Sequence, residues 1–223
     1  MRTRIYRGFT LVELLAVIGI IAVMTGVLGL ALRDGGPPAA LQSAQGTIAS
    51  LVAAARAQAA VSQNRTMLVV NADPTDEHFL RDLAIAVETA PNSGQWRVAT
   101  DGALLPRGIY IVPGSGSAAG TVLTGGDAGT GAWPAGRRSS LAPVPAETIA
   151  PTPESPAGVF LGLTSLFTAQ GTVDHAGGGR LVLAAARPTA TGVVFDHPER
   201  VRGVVLSAYG VAVLVNDGPG FDF

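Results

Sequence analysis

From Leu14 to Leu32 the chain runs nineteen residues without a charged side chain. At about 1.5 Å per helical residue this is roughly 28 Å, close to the hydrocarbon thickness of a bilayer, so one helix can span there. The stretch opens with Arg7-Gly8-Phe9-Thr10-Leu11-Val12-Glu13, which puts a carboxylate at the mouth of the apolar run. A charge inside a membrane helix costs on the order of 2.5 to 3.5 kcal/mol at the helix centre. Glu13 therefore marks a function rather than a neutral choice of residue.

The residues before Gly8 include Arg2, Arg4 and Arg7 and no acid. By the positive-inside bias this keeps the N-terminus cytoplasmic and sends everything after Leu32 outward. A secretory signal would carry a shorter apolar region of about 7 to 15 residues and then a small-x-small cleavage site. Leu28 to Leu32 offers no such site.

Gly8-Phe9-Thr10-Leu11-Val12-Glu13, behind a short basic leader and ahead of an unbroken apolar helix, resembles the class III signal of type IV pilins and type II secretion pseudopilins. The resemblance implies cleavage between Gly8 and Phe9 by a membrane-embedded prepilin peptidase, followed by N-methylation of Phe9. Glycine suits the cut because a residue without a Cβ lets the backbone enter a tight cleft. It also implies a role for Glu13, which in a bundle of such helices would face the α-amine of a neighbouring Phe9. An unpaired charge there is penalised heavily, so the pair fixes axial register more than it adds net stability. The implied partners are other pilin or pseudopilin subunits, the peptidase and an inner-membrane assembly platform. The implied location is the bacterial inner membrane, crossed once, with the C-terminal domain periplasmic.

Composition narrows the remainder. With 223 residues there is room for one anchor and one domain with a full core. There is no cysteine, hence no disulfide, thiol nucleophile or thiolate metal site. All fifteen basic residues are Arg, and the absence of Lys removes the P-loop lysine, Schiff-base chemistry and the Ser-x-x-Lys arrangement together. Beyond the leader the chain is mildly acidic, with no basic run longer than Arg137-Arg138, so nucleic acid is not an expected partner.

The pattern divides the chain into a leader at 1–8, a transmembrane and assembly helix at 9–33, a hinge at 34–38 and a periplasmic domain at 39–223. The hinge rests on Gly35-Gly36-Pro37-Pro38. From Ala39 to about Ser62, Leu41, Ala44, Ile48, Leu51, Val52, Ala55 and Ala59 recur at helical spacing and predict an amphipathic helix that needs a sheet to cover. Strands are expected at Thr66 to Val70, Leu83 to Glu88, Gln95 to Ala99, Gly108 to Val112, Gly158 to Leu161, Arg180 to Ala184, Gly192 to Phe195, Val201 to Ser207 and Val211 to Val215. The run Val211 to Val215 reads as a strand buried on both faces, and Ser207-Ala208-Tyr209-Gly210 as a hairpin turn. The fold class is α+β: an N-terminal helix, a hinge and a second helix on an antiparallel β domain of two sheets.

Three further stretches, Ala54 to Ala59 with Asn64-Arg65, Phe167 to Val173, and Val204 to Val213, resemble the H-type minor pseudopilins. That resemblance implies a C-terminal domain of two antiparallel sheets against the helix.

Between Pro113 and Pro156 the sequence turns to Gly, Pro, Ala, Ser and Thr and reads mostly as loop, with Thr121-Val122-Leu123 and Trp133 able to dock on the domain. Gly114-x-Gly116 lacks the spacing and strand-to-helix setting of a dinucleotide site. His78, His175 and His197 lie far apart with no metal spacing. No Gly-x-Ser-x-Gly elbow anchors a catalytic triad. Asn216-Asp217-Gly218 followed by Asp222 offers oxygen ligands for calcium, although a turn followed by a fraying terminus is the favoured account. Asn64-Arg65-Thr66 fits a sequon at a helix-to-strand junction. No cofactor and no catalytic residue are expected. Two readings follow: a minor pilin-like structural subunit, or a membrane-tethered periplasmic enzyme or binding module that uses the helix only as an anchor.

Overall fold

A computed structural model of the protein describes residues 11–34, 36–114, 118–125, 131–150, 158–174 and 179–221. The chain divides into two compact units, Met1–Ala39 and Ala40–Phe223.

The first unit is dominated by α1, Leu11–Asp34. Its side chains are described from residue 11 to residue 25, and every one is exposed, including Leu11 at 75%, Ile18 at 56% and Val23 at 68%. Thr25 Oγ1 donates to the Ile21 carbonyl at 2.7 Å, so the hydroxyl is satisfied within the helix itself. Among the described residues no helix is long and apolar enough to cross a membrane.

The second unit begins within α2, Gly36–Ser62. This helix starts ahead of the expected Ala39 and takes Pro37 and Pro38 into its first turn. Proline is tolerated there because the first N–H groups of a helix have no internal acceptor to lose. All seven expected positions, Leu41 through Ala59, are buried, with Ala44, Ile48, Ala55 and Ala59 at 0% exposure. The helix stops at Gln63, whose φ of 55° is left-handed. Its side-chain amide donates to the Ala60 carbonyl at 2.6 Å, satisfying a helix-end acceptor.

In chain order the strands are β1 Thr66–Asn71, β2 Asp82–Glu88, β3 Trp96–Leu104, β4 Ile109–Ile111, β5 Thr121–Gly125, β6 Gly131–Ala132, β7 Leu141–Val144, β8 Phe160–Leu163, β9 Arg180–Ala185, β10 Arg187–Thr189, β11 Gly192–Phe195, β12 Val201–Leu206 and β13 Ala212–Val215. They form sheets of order β3-β2-β1-β8-β7, β13-β12-β9-β4 and β10-β11-β5-β6. The first two are antiparallel throughout. The buried stripe of α2 shares one core with Leu68 and Val70 of β1, Leu83 and Ile85 of β2, Leu181 and Leu183 of β9, and Val204 and Leu206 of β12. Alternation along β1 sends Met67 and Val69 the other way, into a smaller cluster with Ala84, Ala86, Ile149 and Phe160. The central strand is thus covered on both faces.

Three expectations need correction. There is a third sheet, and it contains a parallel pair, β11 with β5. The stretch 113–156 is not simply loop, because it supplies β5, β6 and β7 and buries Trp133, Leu141 and Ile149. These strands are two to five residues long, too short to show a period, and a few large anchors hold them. The run at 211–215 is not buried on both faces: β13 is an edge strand, with Val213 and Leu214 each 53% exposed. An apolar run reports β propensity, not its place in the sheet. The hairpin turn stands as expected. Gly210 donates to the Ser207 carbonyl at 2.9 Å and has a φ of 69°, the left-handed conformation that closes a three-residue β connection.

Candidate functional site

Glu13 lies in the first turn of α1 and is exposed. Gly8 and Phe9, the expected processing pair, lie outside the described residues, as do His175 and Asp222.

The candidate chemistry of the β domain does not converge on one place. His78 sits 3.4 Å from Glu77 and 3.8 Å from Asp76. His197 sits 3.3 Å from Glu199 and 3.7 Å from Asp196, so each described histidine is matched to local carboxylates. Asp217 Oδ1 accepts the Gly220 N–H at 3.0 Å, holding the terminal 3-10 turn Pro219–Phe221 whose Phe221 is fully buried. Among the described residues no cluster of His, Asp or Glu could hold a metal ion. The basic pair is spent on carbonyls: Arg137 Nη1 donates to Pro198 at 2.9 Å and Arg138 Nη2 to Trp133 at 3.4 Å.

One groove of about 640 Å³ runs between the loop after β1 and the β10–β11 turn, with Asp76, Tyr110 and Thr191 among its walls. Two acids of the loop after β1, Asp76 in the groove wall and Asp73 outside it, brace the loop itself. Asp73 Oδ1 accepts the N–H and Oγ1 of Thr75 at 2.9 and 2.7 Å. Asp76 accepts the His78 N–H at 2.8 Å and Asn71 Nδ2 at 2.9 Å. A second groove, about 540 Å³, lies along α2 beside the turns at 170–171 and 210–212.

Two polar positions went unnoticed in the sequence. Glu88, 1% exposed, takes Arg65 Nε at 2.8 Å and Nη2 at 2.6 Å, plus the Gly94 N–H at 2.8 Å. The hydrogen bond from Arg65 holds the Glu88 carboxyl below its ordinary value against the opposing effect of burial, and raises Arg65 in turn. Gln45, 3% exposed, interrupts the apolar face of α2 and donates to the carbonyls of Gly203 at 2.8 Å and Val215 at 2.9 Å. Its signal was visible as a polar residue at an apolar spacing. The reach of Arg65 to Glu88, twenty-three residues away, had none.

The Prokaryotic N-terminal methylation motif matches residues 3–29. The match takes in Arg4 and Arg7 of the leader, Gly8 and Phe9, Glu13 and most of the residues of α1, and it supports a type IV pilin-like substrate of prepilin peptidase. No curated protein and no solved structure matches the chain.

Proposed function

We propose that the chain is a minor pseudopilin or minor pilin, a structural subunit and not an enzyme. Prepilin peptidase removes residues 1–8 and methylates Phe9. The helix that follows lies in the inner membrane and then enters a filament, where Glu13 faces the α-amine of a neighbouring Phe9, and the β domain is carried on the periplasmic side. The observation that carries this reading is the coincidence of the methylation motif at 3–29 with a helix exposed on all of its described faces. Such a surface needs lipid or other helices against it. The five-residue hinge expected at 34–38 is narrower than that, since Asp34 ends α1 and Gly36, Pro37 and Pro38 open α2. Within this class the chain is an H-type minor pseudopilin, a proposal supported by the stretches at 54–65, 167–173 and 204–213.

Intact-mass measurement tests the processing. Cells with prepilin peptidase should yield a protein lacking Met1 to Gly8 and carrying one added methyl at Phe9, whereas cells without it should yield the full chain. Retention of Met1 in peptidase-positive cells overturns the proposal. Restoring secretion to a strain that lacks its own H-type subunit tests the finer assignment. If the helix were only a tether, Glu13→Leu would leave function intact.

A further inference from the structure

We infer that the free edge of β13 is a pairing surface for a second copy of this chain, joined antiparallel about a two-fold axis at Val213. An edge strand presents unpaired N–H and C=O groups, and a chain that stays single blunts them. The other sheet edges are blunted. β3 is bulged and carries Arg97 and Asp101, β7 and β10 carry Pro143 and Pro188, and β6 is two residues long. The Ile111 N–H of β4 is taken by the Leu80 carbonyl at 2.9 Å. β13 has no proline, charge or bulge, and among the described residues no strand or isolated bridge covers its outer side. The apolar side chains along it face water as well, with Val211 at 48% and Val213 and Leu214 each at 53% exposure.

The backbone register selects the occupant. Ser207 N donates to the Val211 carbonyl at 3.0 Å, and opposed residues of an antiparallel pair alternate between bonded and non-bonded. Val213 and Val215 therefore turn their backbone groups to β12, whereas those of Ala212 and Leu214 point outward. Leu206 lies opposite Ala212, and its N–H donates away from β13, to the Gly179 carbonyl at 2.6 Å, as this alternation requires. A second copy turned about Val213 sets Ala212 opposite Leu214, and each exchanges both of its outward bonds with the other. Val213 then meets its own copy and Val211 meets Val215, β-branched pairs that stabilise a ladder. Residues 207–215 carry no charge. This register also sets Asp217 opposite Tyr209, whereas a parallel pairing would set Asp217 beside a second Asp217. The pair closes after two copies, so it is not the repeating contact of a filament. A ladder this short buries well under the roughly 800 Å² per partner of a standard interface, so the pairing is weak and concentration-dependent.

The test uses the full-length protein in detergent, which has no cysteine of its own. Amide exchange at Ala212 and Leu214 should slow as the protein is concentrated, while Val213 stays slow throughout. A non-hydrogen-bonded pair sets Cα atoms about 4.5 Å apart, inside the disulfide range. Val213→Cys should therefore cross-link under mild oxidation at least about tenfold faster than Tyr209→Cys, although Tyr209 is the more exposed at 75%. In the Val213→Cys background, Ala212→Pro removes an outward donor and leaves the ladder with β12 intact, so it should cut cross-linking at least about fivefold with the thermal melt unchanged. Leu214→Lys, which charges the edge and keeps every backbone donor, should do the same. Three results overturn the proposal: cross-linking of Val213→Cys no faster than that of Tyr209→Cys, cross-linking indifferent to Leu214→Lys, or exchange at Ala212 and Leu214 that does not change with concentration. In the last case, fast exchange would show an edge left open to water, and slow exchange an edge covered by another segment of the same chain. None of these depends on whether α1 is processed or polymerises.

Discussion

α1 and α2 are similar in length, 24 and 27 residues, and differ in where their apolar side chains go. In α2 a stripe of seven is buried inside its own unit, and the opposite face is alanine and polar. In α1 the described side chains are exposed on every face. A stripe can be satisfied by one sheet, whereas a helix apolar all round has to be surrounded, by a large core, by lipid or by other helices. α2 thus belongs to folding, whereas α1 serves assembly in the function proposed above, and substitutions should separate the two. The largest expected effect is from Glu13→Leu. It should abolish secretion or piliation, scored by complementation, while the melting temperature of the β domain stays unchanged. A fall in that temperature would show that Glu13 serves the fold.

Next comes a matched pair. Ile48→Ala, at a fully buried site in α2, should cost about 3 kcal/mol through lost transfer energy and the cavity left behind. For a domain of this size that lowers the melting temperature by roughly 6 to 12 °C. Ile18→Ala in α1, where the same side chain is 56% exposed, should change stability by less than about 0.5 kcal/mol. Equal shifts from the two would break the contrast between the helices.

The part of the fold that could be read in the sequence was the part with a period. The α2 stripe was legible because seven apolar residues repeat at one spacing, and all seven are buried. All nine expected strands appear, with ends displaced by a few residues. Most of what was missed had no period: β5, β6 and β7 rely on single anchors such as Trp133, and β10 is three residues long with an exposed proline at its centre. The burial of a strand was also illegible, since β13 is as apolar as β9 and yet lies at a sheet edge. At the N-terminus the reading rests on local chemistry, Gly8 and Glu13 at fixed positions, and the methylation-motif match covers the same residues. Long-range pairing, as between Arg65 and Glu88, leaves no local trace.

That ion pair gives the third test, again confined to the folded unit. Glu88→Ala should cost about 2 kcal/mol. Removing one partner of a buried pair is expensive, but Arg65 keeps 30% of its side chain in water and recovers part of its hydration. The folded-state pKa of Glu88 is depressed. Its contribution is therefore present above the ordinary carboxylate value and lost as pH falls through the lower, folded value. Melting temperature should accordingly fall below about pH 4.5, the reference value for the group, and Glu88→Gln should flatten that fall. An unchanged acid limb in the variant would assign the acid sensitivity to other carboxylates.

The smallest expected effect comes from the one position where α2 departs from its own pattern. Gln45 gives up an apolar contact, and its amide ties two carbonyls, of Gly203 in β12 and Val215 in β13, where the strand pair would otherwise end against the helix. Gly203 lies opposite Val215 in the ladder, so one side chain closes the end of the β12–β13 pair. Gly203 is itself required by the neighbouring strand, since a Cβ there would collide with the Leu181 carbonyl of β9. Gln45→Leu keeps the volume near constant and leaves both acceptors without their donor, for a loss of about 1 kcal/mol. Because β13 is an edge strand with no neighbour on its far side among the described residues, the loss should be local: amide exchange should quicken in β13 and remain slow in β1. Uniform quickening across both strands would show that α2 holds the domain as a single cooperative unit, with no separate role for the Gln45 bridge.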